Sequence, residues 1–83
     1  MTRDQVLDAI RDHLADELEL DPARITEDTH FREDLSVDSL DLYTLVQELE
    51  DSYGVKMSDE EAARIHTVRQ AVDFVLANDP SGP

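Results

Sequence analysis

The 83-residue sequence contains no cysteine. That absence excludes disulfides, thiolate metal sites and a cysteine nucleophile of the chain's own. Glycine occurs only at Gly54 and Gly82, so there is no glycine-rich loop to cradle a phosphate. Cations are scarce: seven Lys and Arg face 21 Asp and Glu, for a formal net charge of −14. Nucleic acid and anionic membranes attract positive charge, so neither is an expected partner, whereas basic protein surfaces are. No apolar run approaches the length that crosses a bilayer. Asp4 and Asp8 interrupt any secretory-signal pattern near the first residue, so a soluble, cytoplasmic protein is the expectation. What is present is enough for one small core: 40% of residues are hydrophobic, in a length that holds a single domain.

The apolar residues fall into helical stripes. Thr2 and Gln5 have capping-box spacing, which predicts a first helix starting after Thr2. Val6, Leu7, Ile10, Leu14 and Leu18 then lie within about 120° of arc, a core-facing stripe. Asp4, Asp8, Asp12 and Asp16 repeat at i, i+4 on another face and read as a solvated surface. Asp21-Pro22 ends this helix or opens a short turn, because proline cannot continue a helix but suits its first position. Residues 19–37 read as a long connection pinned by Ile25, Phe31 and Leu35.

A second helix is expected over residues 39–53, with Leu42, Leu45, Val46, Leu49 and Tyr53 on one face and Gly54 at its C-cap. Ser58 with Glu61 opens a short third helix reaching about Arg64, and Thr67 with Gln70 opens the last. Val68, Ala71, Val72, Val75 and Leu76 form the last helix's apolar side. The expected architecture is an all-α four-helix bundle: three longer helices, one short third helix and a long loop between helices one and two. The domain spans residues 1–77, and residues 78–83, with two prolines and a glycine, should fray. No strand-like alternation, internal repeat or second domain is evident.

Self-contained catalysis has little to stand on. His13, His30 and His66 are scattered and show no metal-ligand spacing, so no metal is expected. Ser39 lacks a Gly-x-Ser-x-Gly elbow. Counting an EF-hand loop from Asp34 or Asp38 finds neither the glycine nor the terminal glutamate it needs.

The informative segment is Asp34-Leu35-Ser36-Val37-Asp38-Ser39-Leu40-Asp41. Ser39 sits where loop becomes helix, at a terminus whose free N–H groups and dipole favour an attached phosphate. Taken alone, the short Asp-Ser-Leu stretch reads first as an ordinary N-cap by Asp38 or Ser39, since both are favoured capping residues. The following helix adds a second feature. Leu40, Tyr43 and Gln47 cluster away from the buried stripe, and residues 33–55 hold seven acids and no Lys, Arg or His. An exposed apolar patch rimmed by one charge sign reads as a docking face for a basic partner.

With these features together, the chain resembles the acyl carrier proteins of fatty-acid and polyketide synthesis, from the first helix to Leu76. The resemblance rests on Phe31-Arg32-Glu33-Asp34-Leu35 through Asp38-Ser39-Leu40-Asp41, and on Leu45-Val46-x-x-Leu49-Glu50-Asp51-x-Tyr53-Gly54-Val55. Ser58-Asp59-Glu60-Glu61-Ala62 and Ile65-His66-Thr67-Val68 complete it without gaps. It implies that Ser39, preceded by Asp38, is the attachment site of a 4'-phosphopantetheine delivered from coenzyme A by a separate transferase. The arm would supply the thiol that the sequence lacks, and acyl groups would ride on it as thioesters. The chain would then be a monomeric carrier, not an enzyme, visited by acyltransferases, ketosynthases, reductases and dehydratases with basic docking patches. By the same resemblance Leu40, Asp41, Tyr43, Gln47, Glu48 and Glu50 belong to a recognition helix. Phe31, Leu45, Val46, Leu49, Ala62, Ile65 and Ala71 match or neighbour the region where the acyl chain retreats, although from the residues alone they are core.

The sequence departs from the family in places. Ser36 stands where many relatives have glycine, Tyr43 and Gln47 replace smaller residues and methionine, and Ser58 stands where proline is frequent. A carrier dedicated to a polyketide or secondary lipid pathway is therefore the alternative within this class. Outside it stand an unmodified acidic adaptor, whose function would survive mutation of Ser39, and a small hydrolase, which would turn over substrate unmodified.

Overall fold

In a computed structural model the fold is described for residues 2–78. Five helices follow in order: α1 (Arg3–Leu18), α2 (Phe31–Leu35), α3 (Ser39–Tyr53), α4 (Asp59–Ala63) and α5 (Val68–Ala77). The expected three long helices and the short one after Gly54 are all present. The difference lies in the long connection, which contains α2 and a 3-10 turn at Pro22–Arg24. Of the expected tail, only Asn78 lies within the described residues.

Side-chain caps set most helix starts. In α1 the Gln5 N–H donates to Thr2 Oγ1 at 3.2 Å while the Thr2 N–H donates to Gln5 Oε1 at 3.1 Å. The same reciprocal pair opens α4 from Ser58 and Glu61, and α5 from Thr67 and Gln70. Each satisfies two backbone donors that a helix start leaves free. At the other end of α3, Gly54 has φ 68°, a left-handed cap that glycine adopts without steric cost. Asp21 caps the 3-10 turn, with the Ala23 N–H donating to Asp21 Oδ1 at 3.0 Å.

The stripes read from the sequence meet in one core. Val6, Ile10 and Leu14 of α1, Leu45, Val46 and Leu49 of α3, and Val68, Ala71, Val72 and Val75 of α5 are all buried. Leu7, Leu18, Leu42, Tyr53 and Leu76 pack half-buried at its margin. α1 lies against α5, α3 and the 3-10 turn, and α3 lies against α4.

The connection after α1 is held down from several sides. Ile25 and Phe31 are buried and Leu35 packs against the core. Arg11 Nε donates to the Ile25 carbonyl at 2.7 Å. Backbone N–H groups of α5 reach back to it, from Val68 to the Thr29 carbonyl at 3.0 Å and from Arg69 to the Glu27 carbonyl at 2.9 Å. Arg3 bridges Glu27 and Asp73, and Arg69 pairs with Asp28 at 2.8 Å. The two carboxylates beside Arg3 hold its guanidinium pKa above the usual value. This clamp fixes the position of α2, on which the candidate site depends.

Tyr53 gives the fold an alkaline limit. Partial burial raises its phenol pKa above the ordinary 10.0. The folded chain therefore keeps this proton after the unfolded chain has lost it. The associated stability is complete below about pH 10 and is lost as pH rises through the folded value. Tyr53→Phe should flatten the fall in Tm above that pH. It should change Tm little near neutrality, because the hydroxyl's contact with the Gln5 carbonyl is a long 3.4 Å.

Candidate functional site

The site forms where α2 turns into α3. Ser36 caps the end of α2 in the left-handed region at φ 57°, and the Val37 N–H donates back to the Phe31 carbonyl at 2.8 Å. This tight reversal lays α2 beside the first turn of α3. A non-glycine residue in that region pays a steric penalty, partly offset because it restricts the unfolded chain. Ser36→Gly is expected to raise stability by about 0.5–1 kcal/mol, read as a higher midpoint in urea.

Asp38 is the N-cap of α3, with Oδ1 accepting from the Asp41 N–H at 3.0 Å. The capping role therefore falls to Asp38 and leaves Ser39, the first helical residue, exposed with its hydroxyl uncommitted to any cap. Ser39 Oγ instead accepts a hydrogen bond from Arg32 Nη2 of α2 at 3.1 Å.

Beside Ser39 opens a cleft of about 270 Å³ between α2, α3 and α4. Phe31, Val37, Leu42, Ala62, Ala63 and Ile65 give it an apolar lining. Tyr43, Arg32, His30, His66, Glu33 and Asp59 supply its polar edges. Of the residues expected around an acyl chain, Phe31, Ala62 and Ile65 line this cleft. Leu45, Val46, Leu49 and Ala71 are buried in the core and do not line it. Val37, Leu42, Tyr43 and Ala63 were not anticipated there. Leu42 shares the apolar stripe of residues 39–53 with the core residues, and periodicity does not tell a core face from the wall of a cleft.

The expected docking residues divide as well. Leu40 is 76% exposed and Tyr43 46% exposed, beside exposed Gln47 and Glu48. Asp41 is half-buried in the first turn of α3, where the helix dipole favours its charge. Glu50 turns inward: its Oε2 accepts from the Met57 N–H at 3.1 Å, tying α3 to the segment before α4.

These parts suit a phosphate-linked arm. An accessible hydroxyl offers the ester oxygen, a cation already touches that oxygen, and an apolar cleft adjoins it. Residues 8–75 match the family described as the phosphopantetheine attachment site. The chain belongs to the acyl carrier protein family. It is 46% identical over 76 residues to an acyl carrier protein of Rubrobacter xylanophilus, covering 92% of this chain and 94% of that one. The fold matches an acyl carrier protein structure from Enterococcus faecalis at a TM-score of 0.81 and 35% identity, covering 94% of this chain and 99% of the other. It also matches one from Thermotoga maritima at 0.79 and 26% identity, covering 92% and 88% respectively. As a member of this family the chain is a carrier and not a catalyst. Its cofactor is a covalently attached 4'-phosphopantetheine, and its partners are a transferase and synthesis enzymes. No helix among the described residues is long and apolar enough to span a membrane.

Proposed function

We propose that this acyl carrier protein bears its phosphopantetheine on Ser39 and delivers growing acyl chains to the enzymes of fatty-acid synthesis. The observation that carries this reading is the position of Ser39: exposed, first in α3, spared from capping by Asp38, and at the edge of an apolar cleft. The bound arm supplies a thiol on which acyl groups are held as thioesters. The chain's own residues do the rest. Ser39 Oγ offers the nucleophile for esterification, and the helix start favours the phosphate's charge. Phe31, Ala62 and Ile65 offer apolar contact to a chain that leaves the solvent, while Leu45, Val46, Leu49 and Ala71 belong to the buried core.

On the outer face Leu40, Tyr43, Gln47, Asp41 and Glu48 present the docking surface. Acyltransferases, ketosynthases, reductases and dehydratases with basic patches are the partners it fits, because acidic charge speeds encounter and a small contact area permits release. The reading is tested by reconstitution. The holo chain, given malonyl and acetyl groups and a complete set of fatty-acid synthesis enzymes, should accumulate saturated acyl thioesters of increasing length. Loading without elongation, with elongation restored by polyketide enzymes, would reassign it to a specialised pathway.

A further inference from the structure

We infer that Arg32 is the positioning residue for the arm, its guanidinium holding the phosphodiester formed on Ser39 and turning it toward the cleft; this rests on Ser39 being the attachment site. Arg3, Arg11 and Arg69 each contact carboxylates. Among the described residues Arg24, Arg32, Lys56 and Arg64 form no ion pair, and of these four Arg32 alone donates a side-chain hydrogen bond, to the neutral hydroxyl of Ser39 seven positions away at 3.1 Å. A guanidinium is a planar fork that matches paired anionic oxygens, so a single bond to Ser39 Oγ leaves donors unused.

Esterification would change what those donors meet. The ester oxygen becomes a poorer acceptor, and the phosphorus bonded to it brings two non-bridging oxygens that share one negative charge. They appear in an acidic setting. Asp38 occupies the start of α3 as its cap, Asp41 sits in the first turn, and Glu33 lies on the cleft edge. Residues 33–55 contain no Lys, Arg or His to offset them. Arg32 is the cation in hydrogen-bond contact with the oxygen that would carry the phosphate, and it also lines the cleft. A phosphate drawn to that side starts the arm over the cleft mouth and not over the acidic face of α3.

α2 explains why the arrangement is built in. The helix has five residues, too short to stand alone; its first N–H, from Phe31, donates to the His66 carbonyl at 2.9 Å, and the Val37 N–H closes its end on the Phe31 carbonyl at 2.8 Å. Phe31 is buried beneath it, so Arg32 is carried on an anchored element.

The test uses wild type, Arg32→Ala and Arg32→Lys, each driven to complete loading with coenzyme A and a phosphopantetheinyl transferase and checked by intact mass. Phosphorus NMR of the three holo proteins should show the phosphodiester resonance displaced in Arg32→Ala, with Arg32→Lys between it and wild type. In wild type the Arg32 side-chain Nε–H signal should shift from apo to holo, while those of Arg3 and Arg69 stay in place. Loading should also lower the Tm of Arg32→Ala relative to its own apo form and leave wild type unchanged or raised. Identical phosphorus resonances in all three loaded proteins, with no movement of the Arg32 signal, would overturn the inference while the attachment reading stood. Failure of wild type to load at Ser39 would overturn both.

Discussion

Replacing Ser39 with alanine is expected to abolish uptake of phosphopantetheine while leaving the helices in place. The structure separates these two effects. Asp38, not Ser39, caps α3, so the helix start keeps its side-chain acceptor in the variant. Ser39 is exposed, and its hydroxyl contacts the equally exposed Arg32. Exposed substitutions that break no cap or buried contact usually change stability by less than about 0.5 kcal/mol. Circular dichroism and Tm should therefore match wild type. Loading should be lost altogether, because alanine has no oxygen to form the ester and no other serine stands at the start of α3. The paired variant Asp38→Ala should behave in the opposite sense, losing about 1 kcal/mol of stability with the cap.

Reversing the docking face should have the second-largest effect. Asp41→Lys with Glu48→Lys changes two negative charges to positive on α3, flanking Leu40 and Tyr43. Association with basic partner enzymes should slow by about 10- to 1,000-fold, the range over which steering acts. The loss should shrink as salt rises, since exposed charges are screened beyond about 8 Å at physiological ionic strength. Stopped-flow association of the holo variant with a ketosynthase, across a salt series, measures this. An unchanged rate at low salt would place docking elsewhere. Glu50 is a poor choice for this experiment despite its place in the sequence pattern. Its carboxylate accepts the Met57 N–H, so reversal would disturb the fold before it disturbed a partner. Reversal of Asp41 removes a favourable charge at a helix start, worth about 0.3–1 kcal/mol, and a Tm measurement on the variant isolates that cost.

The sequence made the long helices legible because their ends are chemically marked. Thr2, Ser58 and Thr67 each have a Gln or Glu three residues on, and the reciprocal bonds form as the spacing implies. α3 is bracketed by Asp38 and Gly54, whose cap roles are local and so readable. α2 was not readable for the converse reason. Its preceding residue His30 makes no side-chain cap, its stop is a serine in the left-handed region, and its five residues are too few for a periodic stripe. Beside local bonds at its two ends, it is held by the backbone of His66, far along the chain.

The same distinction runs through the site. Ser39 stood out by its local context. Arg32 did not, since its role depends on where α2 is placed, although one signal was present: it is the last cation before the stretch at 33–55 that has none. Likewise the apolar residues of the cleft and those of the core have one composition and one periodicity. Phe31, Ala62 and Ile65 separate from Leu45, Val46, Leu49 and Ala71 only once the short helices α2 and α4 are set against α3.

The central claim is that one hydroxyl at the start of α3 carries the arm. It is tested most directly by incubating the apo protein with coenzyme A and a phosphopantetheinyl transferase, digesting it, and locating the adduct by fragment mass spectrometry. The account predicts a single phosphopantetheine, borne by Ser39. An unmodified chain, or an adduct on any other residue, would contradict it.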